Sequence, residues 1–166
     1  SAHLLQKAAN YGWSVYEGSH PFYAHRELGP GTLTAPTFEH HHTESRSLTG
    51  GVACASPRLP GLQGAYIYGD HSTGKIWAGR HDGSQVTFHQ EIADTPLHIV
   101  AFSNTPRGDL LVVDQTAGIH RLQPNPAAEH PEELPEFPRT LSSTGLFTSV
   151  ADHHMADGVV PYHVMS

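Results

Sequence analysis

The chain has 166 residues, which bounds it at about one domain. Nine Lys and Arg against 16 Asp and Glu leave a formal charge of −7, so no basic footprint exists for nucleic acid or an anionic membrane surface. With 16 glycines, 13 prolines and 15% charged residues, composition favours short elements and many turns over long helices. A bilayer span needs about 20 apolar residues in a row, and runs such as Leu110 to Val113 are far shorter, so no membrane span is expected.

The start, Ser1-Ala2-His3-Leu4-Leu5-Gln6-Lys7, lacks an initiator Met, a basic n-region and an apolar h-region, and reads as a cut end. Residues 10–18 read as a turn and a short strand, followed by an irregular loop over residues 19–36 rich in Gly and Pro, long enough to cover a mouth of the domain. Trp13, Tyr16, Phe22 and Tyr23 fit either an aromatic sugar platform or, as the preferred reading, the packing of that loop.

Next comes Glu39-His40-His41-His42-Thr43-Glu44. In an extended segment, period-2 alternation puts His40, His42 and Glu44 on one side, an N/N/O set suited to zinc or another divalent metal. With 15 histidines in the chain, a polar loop is the plainer reading. His153 and His154 are weaker metal candidates, because neighbours in a strand point to opposite faces. Cys54, the single cysteine, sits between Ala53 and Ala55 and reads as a small core residue.

An internal repeat follows. Gly64, Asp70 and Gly74 recur 44 residues later as Gly108, Asp114 and Gly118. Each copy reads glycine, strand, acidic turn, glycine, strand, which is a β-hairpin with a turn that needs positive φ. The first strands are Tyr66 to Gly69 and Leu110 to Val113; the second are Lys75 to Ala78 and Ile119 to Leu122. Residues 85–92 and 98–103 supply further strands. The unbroken Leu110-Leu111-Val112-Val113 run predicts a strand covered on both faces, as in a propeller blade held between neighbours, where a sandwich would show cleaner alternation. The fold expected is all-β, a partial β-propeller: one blade from about Thr49 to Ile92, the next from about His98 to Leu122, with its fourth strand supplied from elsewhere. The repeated Asp70 and Asp114 read as acceptors of backbone N–H groups in their own turns, with calcium or a sugar hydroxyl as the alternative. Residues 123–139 form a Pro/Glu-rich linker, and residues 140–166 hold too few apolar side chains for a core of their own.

Taken in order, Asn10-Tyr11-Gly12-Trp13, Ser47-Leu48-Thr49-Gly50-Gly51, Tyr66-Ile67-Tyr68-Gly69-Asp70 and Gly74-Lys75-Ile76-Trp77 resemble the C-terminal part of the glucose/sorbosone dehydrogenase family. The resemblance spans residues 4–122 and implies a six-bladed propeller in which several members bind pyrroloquinoline quinone and calcium. Phe137 to Phe147 and Gly158 to Tyr162 look like the segment that follows such propellers in large bacterial surface or periplasmic proteins, often ahead of cytochrome c-like modules. At about 44 residues per blade a six-bladed ring needs roughly 260 residues, so the N-terminal blades of the same protein are the expected partner, exposing an apolar blade face in their absence. By resemblance the function is an exported, periplasmic or extracellular, quinone-dependent oxidation of a sugar or alcohol with electrons passed to a haem partner. The alternative is a non-catalytic propeller that binds carbohydrate or docks a redox domain. The family's catalytic histidine lies in an earlier blade, so no catalytic residue carries over. The place of its quinone-contacting lysine falls at Ser72, with Lys75 displaced by three positions, and its arginine pair falls near His98, where no arginine stands. His71, Ser72, Lys75 and His98 are thus the candidate cofactor residues at the mouth, and these departures weigh against the quinone.

Overall fold

A computed structural model describes residues 1–125, 147–149, 151–152 and 154–157. It divides into two units, Ser1–Pro124 and Asn125–Ser166. In the first unit a two-residue pair, β1 (Tyr16–Glu17) with β2 (His20–Pro21), precedes two antiparallel meanders. The first meander is four-stranded: β3 (Leu48–Ala53), β4 (Tyr66–Asp70), β5 (Ile76–His81) and β6 (Val86–Ala93), in sequence order. The second is three-stranded: β7 (Ile99–Asn104), β8 (Leu110–Asp114) and β9 (Gly118–Arg121). In the second unit β10 (Phe147–Ser149) pairs antiparallel with β11 (His154–Met155). Residues 126–139 of the expected 123–139 linker, and most of residues 140–166, His153 included, lie outside the described residues.

Short strands and tight turns follow from the glycines. Gly74 and Gly118 sit at φ +71° and +96° in the two repeated hairpins, a region that side-chain-bearing residues avoid. Register pairs Tyr68 with Trp77 and Ile67 with Ala78 across β4 and β5, so the pleat sends the apolar and the aromatic side chains to opposite faces.

The first meander and the second stack through one core built from Ile67, Ile76, Ala78, Ile99, Phe102, Leu110 and Val112. Cys54 is buried in the same cluster, as expected of a free core cysteine. Thr49 Oγ1 donates to the Ile99 carbonyl at 2.8 Å, tying β3 to β7 across the sheets. Gly69 permits this approach, because a Cβ there would stand 3.0 Å from the Phe102 ring and 3.1 Å from Ile99. The chain is all-β, with two successive sheets face to face and not closed into a barrel, a partial propeller-like arrangement. No helix among the described residues is long and apolar enough to cross a membrane.

One packing expectation is corrected. In β8, Leu110 and Val112 are buried while Leu111 and Val113 are only half-buried, so the outer face of the second sheet is partly open. Coverage on both faces belongs to β4 and β5 instead. Their aromatic face carries Tyr66, Tyr68 and Trp77, and the returning segment around Phe38 lies over it, stapled to the N-terminus by Ala2–Phe38 backbone bonds. Beside that cover runs a groove of about 780 Å³ lined by Leu4, Leu5, Phe38, Leu48, Tyr66 and Gly79 among others.

Candidate functional site

The two repeated aspartates organise one end of the stacked sheets. Asp70 is fully buried at the end of β4. Its Oδ2 accepts from Ser45 Oγ at 2.8 Å, Arg46 N at 2.8 Å and Ser47 N at 2.5 Å. Its Oδ1 accepts from Ser72 N at 2.9 Å, Thr73 N at 2.9 Å and Thr73 Oγ1 at 3.2 Å. Burial works to raise the carboxyl pKa, but the bonds from Ser45, Ser47, Thr73 and Ser72 outweigh it and hold Asp70 below the ordinary value. Asp114 repeats the design in β8: Oδ1 accepts from His98 N at 2.5 Å, and Oδ2 from Thr116 N and Oγ1 at 2.9 Å and from Ala117 N. Led by the Ala117 N–H, these donors push its carboxyl well below the usual range. The turn reading of both aspartates is what the geometry displays.

Above these anchors the structure brings His71 and His98 together, with ring centroids 5.4 Å apart. His71 Nε2 lies 2.8 Å from Gln115 Oε1, its counterpart 44 residues on, and His98 Nδ1 lies 3.3 Å from the His71 carbonyl. Ring N–H groups donating to these oxygens leave the Gln115 amide nitrogen and the other ring nitrogens as the atoms that can meet a hydroxyl. Ser72 stays in the Asp70 turn through its own N–H. Lys75 does not join: its Nζ is held by Glu91 at 2.8 and 2.9 Å and by Asp94 at 3.2 Å. Those bonds, Glu91 first, raise its pKa and commit its charge to β6.

The histidine run behaves differently from an extended segment. Residues 42–44 form a turn, with Glu44 N and Ser45 N both donating to the His41 carbonyl, so alternation is lost. His40 turns inward with a side chain only 3% exposed, its Nδ1 3.6 Å from Glu44 Oε2, while His42 swings out to Glu17 at 3.7 Å. His40, His42 and Glu44 therefore do not converge, and among the described residues no group of three His, Cys, Asp or Glu side chains is arranged to hold a metal ion.

What sequence reasoning missed is the partner His40 finds. Its Nε2 lies 2.8 Å from the buried Tyr68 hydroxyl, which on its other side lies 2.6 Å from His89 Nε2 on β6. The phenol donates to one imidazole and accepts from the other, so the rings must hold complementary tautomers. Burial pushes the Tyr68 hydroxyl above its usual range, with Tyr66 adding to the effect. Burial also lowers the His40 pKa against the opposing pull of Glu44. His89 is lowered by partial burial and then by His40 beside it. The only signal in the sequence was period-2 placement of Tyr66 and Tyr68, which marks a shared face but not what covers it.

Fold and site together define an all-β, propeller-like chain whose repeated turn aspartates set a polar histidine and glutamine cluster at one end of two stacked sheets. No family model matches it. A HIPL1 protein of Arabidopsis thaliana is similar, 36% identical over 102 residues, and the match covers 51% of this chain and 14% of the plant protein. The chain thus spans a small part of the length of that curated relative.

Proposed function

We propose that this chain supplies blades of a propeller resembling the sugar dehydrogenases, and that its own part is non-catalytic: it binds carbohydrate hydroxyls at the His71, His98 and Gln115 end. The carrying observation is the donor set. Two imidazoles and an amide, fixed 2.8 to 3.3 Å from their partners, suit hydroxyls. A quinone with three carboxylates needs several cations, and Lys75, the cation among the candidate cofactor residues, is already neutralised by Glu91 and Asp94. Calcium needs open carboxylate oxygens, and all four of Asp70 and Asp114 are already committed to N–H or O–H donors within the fold. The residues present do not fit either group, so no redox step is assigned to them. In the whole protein, oxidation of a sugar or alcohol and electron transfer to a haem module would rest on residues outside this sequence, as would an exported location.

Calorimetric titration of the full chain tests this. Monosaccharides and disaccharides are expected to bind with millimolar affinity that His71→Ala and Gln115→Ala abolish, and pyrroloquinoline quinone with calcium is expected to give no saturable heat. Saturable quinone binding lost in Lys75→Ala would favour the dehydrogenase reading and overturn this one. Sugar binding indifferent to both substitutions would overturn it as well.

A further inference from the structure

The exposed aromatic side chains of the N-terminal segment form an ordered row. Trp13 is 72% exposed, Phe22 46% and Tyr23 38%. The Trp13 and Phe22 rings stack at 5.4 Å with 25° between planes, and Phe22 meets Tyr23 edge-on at 4.4 Å. Backbone bonds fix them: Phe22 N donates to the Val15 carbonyl at 2.8 Å, and Tyr23 N to the Ser14 carbonyl at 3.2 Å. The Arg26 guanidinium lies 4.2 Å over the Tyr23 ring and donates to Ser14 Oγ at 2.7 Å. Asn10 clamps the loop behind Trp13, its amide donating to the Gly29 and Pro30 carbonyls and its Oδ1 accepting from Gly12 N. The row is neither a buried loop core nor a loose one. Three large rings are pinned in the open, where the hydrophobic effect alone would turn them inward.

Two hollows flank the row. One, of about 320 Å³, takes in Trp13 with Asn10, Tyr11 and the Gly29–Pro30 backbone. The other, of about 620 Å³, takes in Phe22 with Glu17, His20, His42 and Arg46. An aromatic ridge between two hollows with polar walls matches a ligand that has flat C–H faces and a rim of hydroxyls. The exposed Glu17 and His42 side chains of the larger hollow offer acceptor and donor atoms that hydroxyls can meet. The net charge of −7 disfavours polyanions.

We propose that Trp13, Phe22 and Tyr23 form a binding platform for a neutral pyranose oligosaccharide. A sugar ring lies on the indole, and the chain runs on toward the Glu17–His42 pair, whose side chains, 3.7 Å apart, receive hydroxyls. The ligand class is shared with the proposed function, but the residues are not.

The two tryptophans make the test direct, because Trp13 is exposed and Trp77 is buried at 4%. The full chain is titrated with cellohexaose, xylohexaose, mannohexaose and laminarihexaose, following tryptophan emission and acrylamide quenching. At least one is expected to bind, shielding Trp13 from quencher. Trp13→Ala is expected to weaken binding about thirtyfold, the scale of losing a central aromatic contact. Its remaining Trp77 emission reports whether the fold is kept. Glu17→Gln is expected to weaken binding several-fold while leaving the shielding of Trp13 in place. No binding by any of the four sugars overturns the proposal, as does undiminished binding by Trp13→Ala. Self-association of the parent that Trp13→Ala abolishes, without a sugar effect, overturns it in favour of a second copy as the occupant. Sensitivity to Trp13→Ala but not to His71→Ala leaves this site standing while the proposed end-cluster site falls, and the reverse pattern does the opposite.

Discussion

Replacing each repeated aspartate by asparagine separates two sites that look alike in the sequence. In Asp70 the six donors divide three to Oδ1 and three to Oδ2. Whichever way an asparagine amide is turned, its nitrogen faces three donors. Hydroxyls of Ser45 or Thr73 can rotate away, but two backbone N–H groups are orphaned in a fully buried place. At about 1–3 kcal/mol each, Asp70→Asn costs about 4 kcal/mol. In Asp114 the division is one and three, so the amide nitrogen can take the single His98 side and orphan one N–H. Urea unfolding at pH 7, followed by Trp77 emission in a Trp13→Phe background, reads the difference. The Asp70→Asn midpoint is expected to fall by about 2 M, and that of Asp114→Asn by clearly less. Equal losses, or the reverse order, would refute the argument from acceptor geometry. The pH dependence follows from the same bonds. Asp70 is held below the ordinary carboxylate value, so its contribution is complete above about pH 4 and is lost as pH falls through its folded-state value. The gap between parent and Asp70→Asn is therefore expected to close in acid.

Further substitutions probe the aromatic face. Tyr68→Phe removes the hydroxyl between His40 and His89 and leaves a buried ring nitrogen without its partner, at a cost of about 1–3 kcal/mol in the same urea assay. Both histidines have lowered folded-state values, so the unfolded chain binds more protons as pH drops below about 6.5. Stability is expected to decline there on acidification, and less steeply in His40→Gln; an unchanged slope would count against the inward placement of His40 on Tyr68. Gly79→Ala drives a methyl group into the Phe38 ring and is expected to cost about 1–3 kcal/mol, a penalty that Phe38→Ala relieves in a double-mutant cycle. Strict additivity of the two would mean that the ring does not lie over Gly79.

Much of the fold was written locally. The 44-residue echo of Gly64, Asp70 and Gly74 specified two hairpins, because positive φ and side-chain acceptors for turn N–H groups are needs that neighbouring residues must meet themselves. That reasoning also assigned both aspartates to their turns, and the small apolar flanks of Cys54 assigned it to the core. Where the chain returns from a distance, local pattern had nothing to act on. Alternation proposed His40 and His42 on one side, but the turn at residues 42–44 parted them and Tyr68, 28 residues on, drew His40 inward. The apolar run of β8 suggested burial on both faces, yet it was the segment around Phe38 that gave β4 and β5 their second cover. Trp13 and Phe22 read as loop packing; their rings do pack on one another, but they stay exposed, because no remote segment of the chain comes to cover them. Turns and strand pairs are settled over a few residues by steric and hydrogen-bonding demands. Which side chains meet, and which face water, depends on where remote segments of the chain come to rest, and that only packing decides.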